Sequence, residues 1–146
     1  MDVVYLFATY QGRLAYALMS VYAVCPEKID QYIPYNVSGI LFGNMLCGIG
    51  VMIFGRPSLA MVRLFYRLPF SIGGSLMFNH ASMTYFEWIH ETCQDSTFIA
   101  MVLSYIGGRV FMIHLLSFLY HVDTRTFHFG YNRPKRNQIY EHMYIL

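Results

Sequence analysis

Acidic residues are scarcest where this chain would need them most. Only 8 of its 146 residues are Asp or Glu. Asp2, Glu27, Asp30, Glu87, Glu91, Asp95, Asp123 and Glu141 all fall outside its long apolar stretches. Charged residues of both signs make up 12%, about half the roughly one quarter usual for soluble domains, which argues against that class. The net charge of +2 and a longest basic run of only "RPKR", Arg133–Arg136, exclude a nucleic-acid binder. The three cysteines, Cys25, Cys47 and Cys93, form no CxxC or Cys/His pattern, so no zinc site is expected. There is no glycine-rich phosphate loop and no positioned nucleophile–base pair, so no catalytic residue is assigned and the chain is read as a non-enzyme. The N-terminus lacks a basic n-region, a short apolar core with a cleavage site, and an Arg/Ser-rich transit pattern, so an internal span is expected to direct insertion.

Apolar sequence fills the space that charge leaves. Hydrophobic residues make up 56% and aromatic residues 18%, with a mean hydropathy of +0.40. A helix crossing a bilayer needs about 20 mostly apolar residues. Four windows are candidates: 3–24, 33–54, 57–79 and 98–120. The second has no charge. The first carries Gln11 and Arg13, the third Arg63, Arg67 and Pro69, and the fourth Arg109 and His114. The expectation is an all-α integral membrane protein of about four spans. The alternative is two spans, with 3–24 and 57–79 lying in the interface as amphipathic helices.

Loop charges orient this arrangement. Arg56 in the second turn, and Arg125, Arg133, Lys135 and Arg136 in the tail, fall on one side, with Arg63 and Arg67 near it. Glu27, Asp30, Glu87, Glu91 and Asp95 fall on the other, against Lys28 alone. Basic residues stay on the side from which helices insert. Both termini are therefore expected on the cytoplasmic or matrix side. Residues 1–120 form the membrane domain. The tail, 121–146, is too rich in Phe, Tyr, Ile and Leu for a solvated segment, and is expected to dock on a partner. Cys25 and Cys93 share the acidic side, and whether they are bridged is left open. The sequon Asn36-Val37-Ser38 lies at a span end and is expected to be unmodified.

Several residues invite a functional reading. Gly39, Gly43 and Cys47, each four apart, make a small-residue stripe suited to close helix packing, against the fourth span or another protein. The pairs Gly73–Gly74 and Gly107–Gly108 are also read as packing positions. Glu87-x-x-His90 has the spacing of half a di-iron site, but the remaining acidic ligands are missing, so no metal is assigned. The simpler reading of "EWIHE" is a short amphipathic helix on the membrane surface, with Tyr85 and Trp88 at the headgroups. His114 is the one candidate cofactor residue, for haem or quinone at a subunit interface. Its simpler reading is a packed histidine bonded to a carbonyl one turn away.

The arginines carry the most information. Arg13, Arg63, Arg67 and Arg109 lie in candidate spans, where a central arginine costs about 2.5–3.5 kcal/mol on insertion scales. Arg63 and Arg67, four apart, share a face and can snorkel to the basic side. Arg13 and Arg109 sit near the middle, and their counter-charge is expected from outside the chain: a partner carboxylate or an anionic lipid such as cardiolipin. In size, span number and unneutralised arginines the chain resembles, in type and without a shared motif, accessory subunits of respiratory-chain or ATP synthase assemblies. The expected function is an accessory or structural subunit of a hetero-oligomeric membrane complex, with the mitochondrial inner membrane first and the endoplasmic reticulum second. The alternatives are a redox anchor that helps bind haem or quinone, and a small transporter.

Overall fold

The computed structural model describes residues 2–33, 35–60 and 62–126. Among them there are helices and no strands. Helix α1 spans Asp2–Tyr22, α2 Pro26–Asp30, α3 Val37–Phe54, α4 Pro57–Ala60, α5 Leu64–Thr92 and α6 Thr97–Thr126. The four long helices pack in the cyclic order α1, α3, α5, α6. They run up and down. Tyr5, near the start of α1, lies against Gly55 after α3, and Arg56 reaches Asp123 near the end of α6. At the opposite end His90 of α5 contacts the Val24 carbonyl, and Val24, Ile89 and Ala100 pack together. The start of α1 and the end of α6 thus share one end of the bundle.

Several boundaries differ from expectation, and α3 begins at Val37 rather than at 33. The chain does not run as one kinked helix over 57–79. It makes the short α4, breaks, and restarts at Leu64 behind the extended Arg63. Pro69 falls early in α5 and does not interrupt it. That helix then continues to Thr92, absorbing most of the stretch 80–97 expected as a loop. The "EWIHE" segment is therefore the last part of a long helix rather than a separate surface helix. Helix α6 likewise runs past Tyr120 to Thr126, because no glycine or proline occurs between Gly108 and Gly130 to stop it. The remainder of the expected tail, 127–146, lies outside the described residues.

Two helices, α3 and α6, are long and apolar enough to cross a membrane. At 1.5 Å per residue, α3 is about 27 Å long and α6 about 45 Å. Helix α5 is more polar in composition, and the placement of its polar residues explains why. Ser71, Ser75, Asn79 and Ser82 are buried on one seam, while Leu64, Phe65, Leu68, Phe70, Ile72, Leu76 and Met77 are exposed. Helix α1 likewise exposes Val3, Val4, Phe7, Leu14 and Leu18. The bundle hides small polar groups and displays large apolar ones, the reverse of the usual arrangement in water.

The buried polar groups are largely satisfied. Ser71 and Ser82 donate to the carbonyls of Arg67 and Phe78, one turn back. Ser75 donates across to the Leu46 carbonyl of α3 at 2.7 Å, and Asn79 Nδ2 donates to Ser75 Oγ at 3.2 Å. Tyr16 of α1 donates to Ser82 Oγ at 2.8 Å. Ser104 of α6 donates to the Ser20 carbonyl of α1. Around this seam Met19, Met45, Ile49, Met52, Phe86, Met112 and Leu116 form the apolar core.

Glycine decides how closely α1 and α3 approach. A Cβ on Gly48 would collide with the Gly12 Cα and lie 2.7 Å from the Ala8 carbonyl oxygen. The close contact is thus Gly12 on Gly48. The stripe Gly39, Gly43, Cys47 points elsewhere: Gly39 and Cys47 are exposed, and a Cβ on Gly43 would meet nothing within 4 Å. Within this chain the stripe is not a helix contact. Gly107 and Gly108, by contrast, do serve packing, lying under Tyr85 and under Phe86 and Ser20.

These contacts set a clear expectation. Gly48→Leu should destabilise the bundle by about 1–3 kcal/mol, the usual cost of overpacking. Gly43→Leu should change stability by less than about 0.5 kcal/mol, as for an unconstrained surface site. Denaturation of the detergent-solubilised chain, followed by circular dichroism, compares the two. Equal effects would show that α1 and α3 do not meet at Gly48.

Candidate functional site

The four span arginines separate into two groups. Arg63 and Arg67 lie at the end of the bundle that holds the α1 start and the α3 end. Arg63 is exposed and precedes α5. Arg67 is held within the chain. Its Nε donates to the Phe54 carbonyl at 2.7 Å, a terminal NH2 donates to the same oxygen, and the guanidinium lies 4.0 Å from the Phe54 ring centroid. A cation there meets an orphan carbonyl and the negative end of the α3 dipole. The shared charge of Arg63 and Arg67 therefore does not need a lipid partner for Arg67.

The same end carries a buried ion pair that the sequence reading did not find. Asp123 was assigned to the tail; it lies in α6 with its side chain 1% exposed. Its Oδ2 is 3.5 Å from Arg56, and its Oδ1 accepts from the Ser58 backbone N–H at 3.2 Å. This carboxylate ties the α3–α4 turn to α6. The signal that could have found it is the absence of a helix breaker after Gly108, which carries α6 past the last apolar residue.

Arg13 and Arg109 form the second group. They project from α1 and α6 into one cleft, also lined by Tyr16, Ser20, Tyr105 and Ile113. Arg109 lies 12 residues beyond Thr97 and 14 before Asp123, so about 18 Å and about 21 Å along α6 from those points. That is near the middle of the bundle. One Arg13 NH2 lies 3.7 Å from the Met52 sulfur, and its guanidinium is 5.9 Å from the Tyr10 ring centroid. Among the described residues, the Arg109 guanidinium has no hydrogen-bond acceptor and no ion pair. Two like charges lining one cleft at mid-bundle make a place suited to an anion.

The other candidate residues are not brought there. His114 is exposed, and its Nδ1 lies 2.8 Å from the Val110 carbonyl, the one-turn contact expected of the simpler reading. Five residues separate it from Arg109, about 140° around the helix, and it does not line the cleft. The cleft holds about 30 Å³, space for roughly two waters. A haem or quinone ring does not fit between α1 and α6 as they stand. His90, of the Glu87-x-x-His90 pair, has its Nδ1 2.9 Å from the Val24 carbonyl, while Glu87 is exposed. Among the described residues no three His, Cys, Asp or Glu side chains gather as a metal site would require. Cys25, Cys47 and Cys93 are free thiols. Asn36 caps α3, accepting from the Gly39 N–H at 2.9 Å.

Removing the buried carboxylate tests the charge arrangement at the basic end. Asp123→Asn leaves Arg56 without its counter-charge. The expected loss is about 3 kcal/mol, the lower end for a broken buried pair because Arg56 keeps some access to solvent. Equilibrium unfolding in detergent measures it, and a loss below about 1 kcal/mol would mean that Arg56 is solvated without Asp123.

No protein family, curated protein or solved structure matches this chain, so the role of the arginine cleft is argued from its geometry.

Proposed function

We propose that the chain is a four-span membrane protein that works as an accessory, structural subunit of a larger membrane assembly. The observation that carries this reading is the polarity of α5. An interfacial helix turns its polar face to water. Helix α5 turns Ser71, Ser75, Asn79 and Ser82 to the bundle interior and its large apolar side chains outward, as a helix between lipid and protein does. Its length, about 43 Å at 1.5 Å per residue, exceeds the roughly 30 Å hydrocarbon layer. Glu87 and Glu91 would then project beyond that layer at the acidic end. The same argument applies to α1, whose one exposed mid-helix amide, Gln11, donates to Asn44 of α3 at 3.0 Å.

The subunit role follows from what the bundle offers. The cleft between α1 and α6 holds only about 30 Å³, and the polar seam of α5 is tied by hydrogen bonds. The bundle's distinctive feature is instead an outward surface of large apolar side chains with two mid-membrane arginines at one groove. The mitochondrial inner membrane is the proposed home, because the acidic outer stretches and the arginine-rich spans suit a bilayer rich in anionic lipid. Both termini belong on the matrix side in this arrangement.

Two measurements test this reading. Tags on the two termini should show the same protease protection in sealed inner-membrane vesicles; opposite protection would mean an odd number of spans. Solubilised in a mild detergent, the chain should migrate in native gels with a fixed set of partners, at several times the mass of the single chain. Migration alone in each of several mild detergents would contradict a subunit role.

A further inference from the structure

We infer that the α1/α6 groove at Arg13 and Arg109 is the docking site for a membrane helix of another subunit that carries an Asp or Glu at mid-bilayer depth. This deepens the subunit reading and rests on it. Three observations converge. The two arginines come from different helices, yet both line one cleft, with the Arg13 guanidinium turned toward Met52 of α3. Among the described residues Arg109 meets no acceptor and none of their carboxylates pairs with it; Asp123, the buried acid of α6, is about 21 Å farther along the helix and occupied with Arg56 and Ser58. The cleft is lined in part by Met112, Ile113 and Leu116, and the outer surfaces of the same two helices are apolar, with Leu14 and Leu18 of α1 and Ile106 and Val110 of α6 exposed. Tyr105 also lines the cleft, while the Tyr16 and Ser20 hydroxyls beside it already donate to Ser82 Oγ and the Ala17 carbonyl.

Depth selects the occupant. A lipid phosphate lies at the headgroup level, about 15 Å from the centre of a hydrocarbon layer roughly 30 Å thick. Arg109 sits near the middle of α6, so a phosphate could reach it only through a thinned bilayer or an extended side chain. A carboxylate on a neighbouring helix needs neither. A carboxyl group alone in lipid stays neutral, and ionises when a guanidinium stands beside it. The charge on Arg109 and the acid on the partner would then each supply what the other lacks, and neither would be comfortable in lipid alone. The planar guanidinium forks favour a carboxylate held by paired N–H donors.

The test uses the full-length chain in phosphatidylcholine bilayers, with two synthetic transmembrane peptides as probes. Both are Leu/Ala helices of about 20 residues, one with a central Glu and the other with Gln. Binding is read by fluorescence transfer between labelled peptide and chain. The wild type should bind the Glu peptide about tenfold more tightly than the Gln peptide, as expected for a close charge pair. Arg109→Met should abolish that preference, and Arg109→Lys should retain part of it because the charge persists without the fork. The helical circular dichroism spectrum should be unchanged in both variants, since Met and Lys suit a helix. Should Arg109→Met fail to fold, Arg13→Met gives the same reading from the other wall. Equal binding of the Glu and Gln peptides by the wild type would overturn the proposal. So would Arg109-dependent retention of phosphatidylglycerol or cardiolipin without any Glu preference, which would assign the groove to lipid. The subunit reading fails separately, through migration of the native chain alone, whatever the peptides show.

Discussion

The proposed four-span arrangement depends on one constraint: in a bilayer each polar group must find its partner inside the protein. Most of the bundle interior answers to it, and Arg109, which meets no acceptor among the described residues, is the exception that matters. The seam of Ser71, Ser75, Asn79 and Ser82 faces inward because lipid offers no hydrogen bonds. Its hydroxyls bond to carbonyls of their own helix or of α3, and Tyr16 reaches across from α1 to join them. Small side chains on that seam let the helices approach, and the Gly12–Gly48 contact brings α1 and α3 together at backbone distance. The bulk that a soluble core would contain is shared between a modest methionine-rich centre and an extensive outer surface. Association of such helices rests on packing and internal hydrogen bonds, because lipid tails are as apolar as leucine.

Much of this was legible in the sequence, and the failures have physical causes. Helix class follows from composition and span length, and α3 and α6 cover most of their windows because their apolar runs are nearly unbroken, although α3 starts at Val37 and α6 runs on to Thr126. The third helix was misplaced by 7 residues at its start, at 57 rather than 64, because Pro57 and Pro69 read as one kinked unit. The break at 62–63 has no strong composition signal. The long C-terminal half of α5 was read as a loop because Glu87, His90 and Glu91 are polar; polarity marks where a helix leaves lipid, not where it ends. The small-residue stripe of α3 was real as a pattern, but pattern does not say which face meets a neighbour. Gly48 lies only one residue from Cys47, and that step of about 100° separates a buried contact from an exposed one.

The arginines illustrate the same limit. Counting charges in the sequence shows that acids are missing from the candidate spans, and among the described residues the geometry keeps that deficit at Arg109. It does not keep it at Arg67, which uses the Phe54 carbonyl and ring, a partner that no charge count reveals. Nor does it hold at the basic end, where the helical extension of α6 brings Asp123 to Arg56. What the sequence could not show is that Arg13 and Arg109, 96 positions apart, share one groove. That meeting is a consequence of α1 and α6 closing the ring.

The central claim is that α5 spans the bilayer with its serine seam inward. The most direct measurement is a nitroxide scan of α5 in lipid bilayers, with single labels at positions 72, 75, 76, 77 and 79, reading collision with oxygen and with a water-soluble nickel chelate. The account predicts that labels at 72, 76 and 77 meet oxygen and not the chelate, while labels at 75 and 79 meet neither. Strong access of the chelate to 72, 76 and 77 would put this helix in water or at the interface, and would contradict the four-span arrangement.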